Sequence, residues 1–400
     1  MILRNLKPFI LKYADQYPIL AIVGPRQSGK TTLAKQCFPG YKYINFESLD
    51  NRMRAEDDPR GFLEDTGPLV ILDEIQRVPT LFTYLQEYVD QTGQPAQYVL
   101  TGSHQFLLME KISQSLAGRI ITFKLFPFTI NEIYSQLPDK TISGILLPKE
   151  SAKVKPERAL PELLLTGMYP RIHDQRLEPR KWIENYLETY IERDVRLLIN
   201  ISNIRLFENF LKITATHSGQ LINFAAIANS VGISQPTVKK WLSVLEASGI
   251  IFILSPYYKN YNKRIVKTPK LFFIDSALLC FLLSIKTTDE LKASPLYGNI
   301  FETFIISEFY KRIYHICEKP PLYFWRDKTA NEIDLLIENG LELIPIEIKL
   351  TRTFSDSFYT PLSRWMNLDG NPSKRGYILY TGNECIGKAK PISVYPWYVF

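Results

Sequence analysis

From Gly24 to Thr31 the chain reads Gly-Pro-Arg-Gln-Ser-Gly-Lys-Thr, the G-x-x-x-x-G-K-T spacing by which a backbone loop wraps phosphate oxygens. Glycines at both ends let peptide N–H groups turn inward, a lysine reaches the β- and γ-phosphates, and a threonine hydroxyl ligates Mg²⁺. Gly24, Pro25, Arg26, Gln27, Ser28, Gly29, Lys30, Thr31 and Thr32 are therefore the expected nucleotide contacts, with ATP and Mg²⁺ the expected ligands and GTP the alternative nucleotide. Downstream, the run 69–72 ends in Asp73-Glu74. Asp73 is expected to hold Mg²⁺ through water, and Glu74 to polarise the water for an in-line displacement at the γ-phosphate. The run 97–100 ends in Thr101-Gly-Ser103, two hydroxyls placed to report the γ-phosphate, followed by the bulkier His104. Arg119 is a candidate to stabilise transition-state charge, in cis or from a neighbouring subunit of a homo-oligomer, with Arg77 as its competitor.

A second constellation lies in the last quarter. Side chains on a strand repeat every two residues, so Glu347 and Lys349 share one face while residues 346, 348 and 350 occupy the other. With Asp334 on the adjacent strand and Glu302 on a preceding helix, this is the order in which restriction-endonuclease-like folds build a Mg²⁺ site. Glu302, Asp334 and Glu347 would hold the metal; Asp334, Glu347 and Lys349 would form the catalytic set. The alternative is an edge strand whose alternating charges resist aggregation.

A third set is basic. Residues 224–232 form a small apolar helix, residues 232–234 a turn with Ser234 as N-cap, and Gln235-Pro236 begins a second helix, the helix-turn-helix pattern. Gln235, Thr237, Lys239 and Lys240 are the positions nearest a DNA major groove. Lys259, Lys263 and Arg264, in the tyrosine-rich wing 257–267, would hold phosphates. The alternative is a protein-docking module with a solvated hairpin.

Positioning these groups requires an α/β architecture. Residues 19–23 form a buried strand feeding the glycine loop and a helix over 31–38, with further strands at 41–47, 69–73, 97–103 and 120–125. The expected domains are a parallel-sheet P-loop domain (1–134), a helical connector (135–200) containing a proline-rich loop and an amphipathic helix at 182–198, a winged helix (201–285), and a restriction-endonuclease-like domain (286–400). A helix over 296–314, strands at 322–326, 332–337 and 343–350, a helix near 354–366 and a strand near 377–380 make up the last.

The 400 residues are 46% hydrophobic and 22% charged, which indicates globular material in several domains. A net charge of +7 suits an anionic ligand without identifying one. The apolar run 277–283 is far shorter than the ~20 residues of a membrane-spanning helix, and no secretion signal is read at the N-terminus. The four cysteines lack paired spacing, so reduced thiols in a cytoplasmic protein without membrane contact are expected.

Gly-Pro-Arg-Gln-Ser-Gly-Lys-Thr-Thr, Leu-Asp-Glu-Ile-Gln, Leu-Thr-Gly-Ser, Leu-Ala-Gly-Arg, the Gly-Ile-Ser turn, and Phe-Trp-Arg-Asp with Glu-Ile-Asp-Leu-Leu-Ile and Ile-Glu-Ile-Lys together resemble a large prokaryotic family of AAA-type ATPases fused to a C-terminal domain of unknown function. The likeness spans nearly the whole chain. It implies ATP contact at Gly24, Gly29, Lys30 and Thr31, metal and water roles at Asp73 and Glu74, and a sensor at residues 101–103. It also supports Glu302, Asp334, Glu347 and Lys349 as the nuclease-like set. The expected function is a DNA-associated, Mg²⁺-dependent ATPase. The alternatives are an ATP-dependent signalling switch whose C-terminal half binds protein, and an ATP-regulated Mg²⁺ nuclease.

Overall fold

The computed structural model describes residues 2–103, 116–135, 139–146, 156–190, 204–258, 267–387 and 390–399. Two sheets organise them. The first comprises β1 (Ile19–Val23), β2 (Lys42–Asn45), β3 (Val70–Asp73), β4 (Tyr98–Gly102) and β5 (Ile120–Lys124), all parallel in the order β2-β3-β4-β1-β5. Strand β1 is buried on both faces, as an uninterrupted apolar run requires. Its odd residues Ile19, Ala21 and Val23 join Leu72, Leu100 and the helix Leu81–Thr92 in one core. Its even residues Leu20 and Ile22 meet Leu33 and Ala34 of the helix Lys30–Cys37 in the other.

The second sheet has eight strands: β6 (Gln220–Leu221), β7 (Ile251–Pro256), β8 (Lys270–Phe273), β9 (Leu322–Arg326), β10 (Glu332–Asn339), β11 (Glu342–Lys349), β12 (Gly376–Tyr380) and β13 (Ile392–Pro396). Their order is β13-β12-β11-β10-β9-β7-β8-β6. Helices Ile204–Thr216, Phe224–Val231 and Gln235–Ala247 accompany β6, β7 and β8, which pair antiparallel. As the turn chemistry predicts, the Ser234 hydroxyl caps the last helix by accepting from Thr237 N (3.2 Å).

Sequence separates 201–285 from 286–400; the structure joins them. Strand β7 pairs with β9 through Ser255–Tyr323 and Pro256–Phe324, making one sheet of both segments. One apolar core runs from Phe126 to Val399 and includes the connector helices Leu160–Thr166 and Pro179–Tyr190. The expected helix at 182–198 is described only to Tyr190; its remainder lies outside the described residues. Strand β13 is an addition to the sequence reading, which stops at the strand near 377–380.

At the centre lies the helix Tyr297–His315, apolar on nearly every side and carrying buried charges on its last turns. Those charges are spent on the segment after β5: Lys311 Nζ donates to Phe128 O (3.0 Å), Glu308 accepts from Ile130 N (2.8 Å), and Arg312 pairs with Asp139 (2.9 Å). Buried ionic groups require such partners.

The connector is locked at Gly167, whose φ is +68°. A Cβ there would lie 2.6 Å from Asp275 Oδ1 and 2.7 Å from Ala277 Cβ. Asp275 is itself committed, accepting from Leu278 N and Met168 N at 3.0 and 2.7 Å. Gly167→Ala combines left-handed backbone cost with overpacking and is expected to lose about 2–4 kcal/mol of stability. Urea denaturation checks this, and an unchanged midpoint would contradict the packing described.

Candidate functional site

The phosphate-loop residues sit at the C-terminal edge of the parallel sheet, where β1, β3 and β4 all end. Gly24 passes so close to β5 that an added Cβ would lie 2.0 Å from Leu125 O. Gly29, at φ +92°, is the N-cap of the helix Lys30–Cys37. Lys30 is 6% exposed, and its ammonium folds back over the loop to donate to Gly24 O (3.1 Å) and Pro25 O (2.8 Å). Pro25 and Ser28 are buried, Gln27 and Thr32 exposed, and Arg26 intermediate.

Asp73 gathers hydroxyls. Thr31 Oγ1 donates to its two carboxylate oxygens at 3.2 and 3.0 Å, Tyr43 OH at 2.7 Å, and Thr101 Oγ1 also donates. Thr101 is there because β3 and β4 align Asp73 with it. Tyr43 is absent from the sequence reading, although alternation along β2 sets it on the same face as Asn45. Burial, then its hydrogen bond to Asp73, pushes the phenol above its ordinary range. The Asp73 carboxylate is thus buried among hydroxyl groups, an oxygen-rich setting that suits a divalent metal.

Glu74 adopts left-handed backbone (φ +57°), turning its carboxylate away from the strand. Gln76 Nε2 (2.6 Å) and Ser103 Oγ (3.0 Å) both donate to its Oε2. Gln76, also missed by the sequence reading, is two residues on. Thr101 and Ser103, expected as phosphate sensors, are each bonded to one of the two acids. His104 lies outside the described residues.

Arg119 requires correction as a finger acting in cis. It precedes β5, whose first residue aligns with Ile19 at the start of β1, so it stands at the opposite edge of the sheet from the phosphate loop. One strand length of about 16 Å separates the two edges. There it is spent on an exposed pair with Asp90 (2.5 and 2.8 Å). Arg77 lies on the nucleotide edge, 3.9 Å from Glu47.

Later parts of the chain approach the loop. A Cβ on Gly249, just past the helix Gln235–Ala247, would lie 3.0 Å from Pro25, and one on Gly29 would lie 3.9 Å from Pro170.

In the C-terminal unit, Asp334 precedes Leu335, which pairs with Ile346, so Asp334 faces Glu347 across β10 and β11. Asp334 accepts from Ile348 N (2.8 Å), and Lys349 pairs with Glu347 (2.5 Å). Burial, with Asp334 as a like charge, pushes Glu347 up to about 8, and burial raises Asp334 as well. Glu302, expected as a metal ligand, lies beside a lysine. Lys270 of β8 bridges Glu302 (3.0 Å) and Glu332 (2.5 Å), giving these carboxylates an ammonium. Even so, burial pushes Glu302 up to about 7. No group of three His, Cys, Asp or Glu side chains among the described residues is arranged to hold a metal ion. The signal for Lys270 is a charge directly heading the apolar run 271–274.

On the helix Gln235–Ala247, Gln235, Lys239 and Lys240 are exposed, while Thr237 shares a hydrogen bond with Ser234 (2.8 Å). Lys239 Nζ lies 5.3 Å from the centre of the Phe224 ring. Lys259, Lys263 and Arg264 lie outside the described residues. Among those described, no helix is long and apolar enough to cross a membrane.

Residues 16–134 match a family described as an AAA domain; residues 157–289 and 297–400 match two described as domains of unknown function, DUF8612 and DUF4143. The uncharacterized protein Rv2008c of Mycobacterium tuberculosis is 30% identical over 346 residues, covering 85% of this chain and 72% of the relative. The uncharacterized protein MJ1637 of Methanocaldococcus jannaschii is 25% identical over 401 residues, covering 90% and 81%. Among solved structures, the Walker-type ATPase PABY2304 of Pyrococcus abyssi aligns with a TM-score of 0.40 and 16% identity over 69% of this chain and 94% of that one. With its glycine loop and paired acids on a parallel sheet, the chain belongs to the prokaryotic family of AAA-type P-loop ATPases that carry a C-terminal domain of unknown function.

Proposed function

We propose that this protein binds ATP with Mg²⁺ at the phosphate loop, hydrolyses it, and couples the cycle to DNA held on the helix Gln235–Ala247. The observation that carries the nucleotide reading is the convergence of Lys30, Thr31, Asp73 and Glu74 at one sheet edge. Mg²⁺ supplies charge neutralisation for the phosphates. The residues' parts follow from their surroundings. Lys30 exchanges its carbonyl partners for phosphate oxygens, Thr31 and Asp73 hold the metal, and Asp73 is kept in place by Tyr43 and Thr101. Gln76 and Ser103 both occupy Glu74 Oε2, which leaves Oε1 to accept the proton of the attacking water. The close approach of Gly249 to Pro25, where an added Cβ would lie 3.0 Å away, supports a route from the loop to the helix bearing Lys239 and Lys240.

The test is ATP turnover with and without duplex DNA, together with DNA affinity titrated against salt. DNA is expected to stimulate turnover, and affinity to fall linearly on a log–log plot of salt. Lys239→Ala with Lys240→Ala removes two phosphate contacts and lowers the slope by about 2. Turnover indifferent to DNA, with an unchanged slope, would reject the DNA half and leave the ATPase reading standing.

A second reading is supported by Asp334 facing Glu347 beside Lys349: a Mg²⁺ nuclease regulated by ATP. Plasmid cleavage in Mg²⁺ that disappears in Asp334→Ala would establish it. Equal nicking by both proteins would mean a contaminant.

A further inference from the structure

Behind the phosphate loop lies a chain of buried charges that the ATPase chemistry does not itself use. Arg4, 7% exposed, sends Nη1 to Ser28 O (3.1 Å), Nη2 to Phe126 O (2.5 Å) and Nε to Glu132 Oε1 (3.1 Å). Glu132 is also buried and accepts from Asn5 N (2.8 Å) and Thr129 N (2.9 Å). Fully buried His315, at the end of the helix Tyr297–His315, accepts from Phe126 N at Nε2 (3.2 Å). Its Nδ1 therefore carries the ring proton, 3.5 Å from Glu132 Oε1. Burial of these groups away from water makes the surrounding hydrogen bonds decisive.

Only one of Arg4's acceptors belongs to the nucleotide site, and it is the informative one. In a trans peptide the C=O and the following N–H point in opposite directions. Holding the Ser28 carbonyl outward turns the Gly29 N–H inward, toward the space a phosphate would occupy. A rigid guanidinium fork can serve three acceptors in different directions; a lysine ammonium of the same charge lacks that fixed geometry.

We infer that Arg4 is a positioning residue for the phosphate loop, and that Glu132 and His315, by holding the Arg4 guanidinium in place, are determinants of nucleotide affinity. The inference rests on the ATP reading above. It adds a part of the chain that the family's nucleotide motifs do not include, and it gives the C-terminal unit a direct structural route to the loop. Lys311 provides a built-in contrast: it is equally buried on the same helix but bonds Phe128 O and Glu308, not Arg4 or the loop.

The experiment measures the Kd of a fluorescent ATP analogue, kcat and KM for ATP, and thermal stability without nucleotide, all on the full chain. Arg4→Lys is expected to raise Kd and KM about tenfold with a smaller change in kcat, the scale of one lost charge-assisted hydrogen bond. His315→Gln should move Kd in the same direction by less. The double variant should be no worse than Arg4→Lys alone, since His315 acts through Arg4. Lys311→Met should lower stability while leaving Kd unchanged, which separates positioning from general loosening. Parent-like affinity in Arg4→Lys, or a loss in Lys311→Met equal to that in His315→Gln, would overturn the inference. A parent protein that binds no ATP would sink the nucleotide reading itself and this inference with it, a result different from either of those.

Discussion

Lys30→Ala is expected to abolish measurable ATP binding, and Glu74→Gln to retain parent-like ATP affinity while slowing hydrolysis about 10²–10⁴-fold. The two effects separate because the side chains do different work. Lys30 is a buried ammonium resting on two loop carbonyls, so its truncation removes the charge meant for phosphate and leaves those carbonyls facing the anion. Charge-assisted bonds of this kind are each worth about 1.5–3 kcal/mol, and added carbonyl repulsion takes the loss beyond 100-fold in Kd. Glu74 instead lies off the loop on its own left-handed turn. An amide there can still accept from Ser103 but cannot take a proton from water. Equilibrium binding of a fluorescent ATP analogue and single-turnover hydrolysis distinguish the cases. Unchanged affinity in Lys30→Ala would refute the site, and parent-like turnover in Glu74→Gln would transfer the base role elsewhere.

The second large effect lies in the C-terminal unit, where Lys270→Met is expected to cost about 3–5 kcal/mol of stability, the range for removing one partner of a buried ion pair. The Lys270 side chain is only 4% exposed, and the Glu302 and Glu332 it bridges are 17% and 23% exposed. Removing the ammonium leaves two carboxylates and Asp334 facing one another. Solvent relieves Glu332 in part, and Arg326 remains beside it at 3.0 Å. The pH dependence has a definite sign. Glu302 and Glu347, raised to about 7 and about 8, hold more protons folded than unfolded above the ordinary carboxyl value of about 4.3. Stability from these groups is therefore present at low pH and falls as pH rises through 5 to 8. Lys270→Met should steepen that fall, because Glu302 loses the cation that favours its charged form. Urea melts at pH 5.5 and pH 8 measure both quantities. A variant as stable as the parent at pH 8 would mean that Lys270 does not hold this cluster together. Stabilisation of the parent by Mg²⁺ that is lost in Glu347→Gln would mean that the carboxylates accept a metal despite it.

These two predictions differ in how far sequence alone leads to them. Lys30 and Glu74 are legible because a phosphate loop and a strand-end acid pair are local devices, built from contiguous residues whose conformation follows from glycine and from the strand's end. Lys270 is not legible as a partner of Glu302, since 32 positions separate them and only the packing of the helix Tyr297–His315 on β8 brings their elements together. Tyr43 and Gln76 fall between: each lies near a motif, but nothing in its own spacing says that its polar atom ends on Asp73 or Glu74. Arg119 shows the complementary error. A motif placed an arginine beside a strand, and the direction of that strand put it at the wrong edge of the sheet.

By itself, the sequence determined the phosphate loop, the acids that follow it, the parallel α/β character of the first unit, the two helices either side of the Ser234 cap and the strand bearing Glu347 and Lys349. Each depends on periodicity or spacing within a short span, where backbone sterics and side-chain alternation leave few choices. Only the tertiary structure decided that residues 201–285 and 286–400 share one sheet, that an ammonium occupies the acidic cluster, and that Arg4 meets His315 across 311 positions. Those outcomes depend on which apolar faces bury one another. Hydrophobic burial has no direction of its own, so the pattern along the chain says which face turns inward but not which distant polar groups that packing brings within reach.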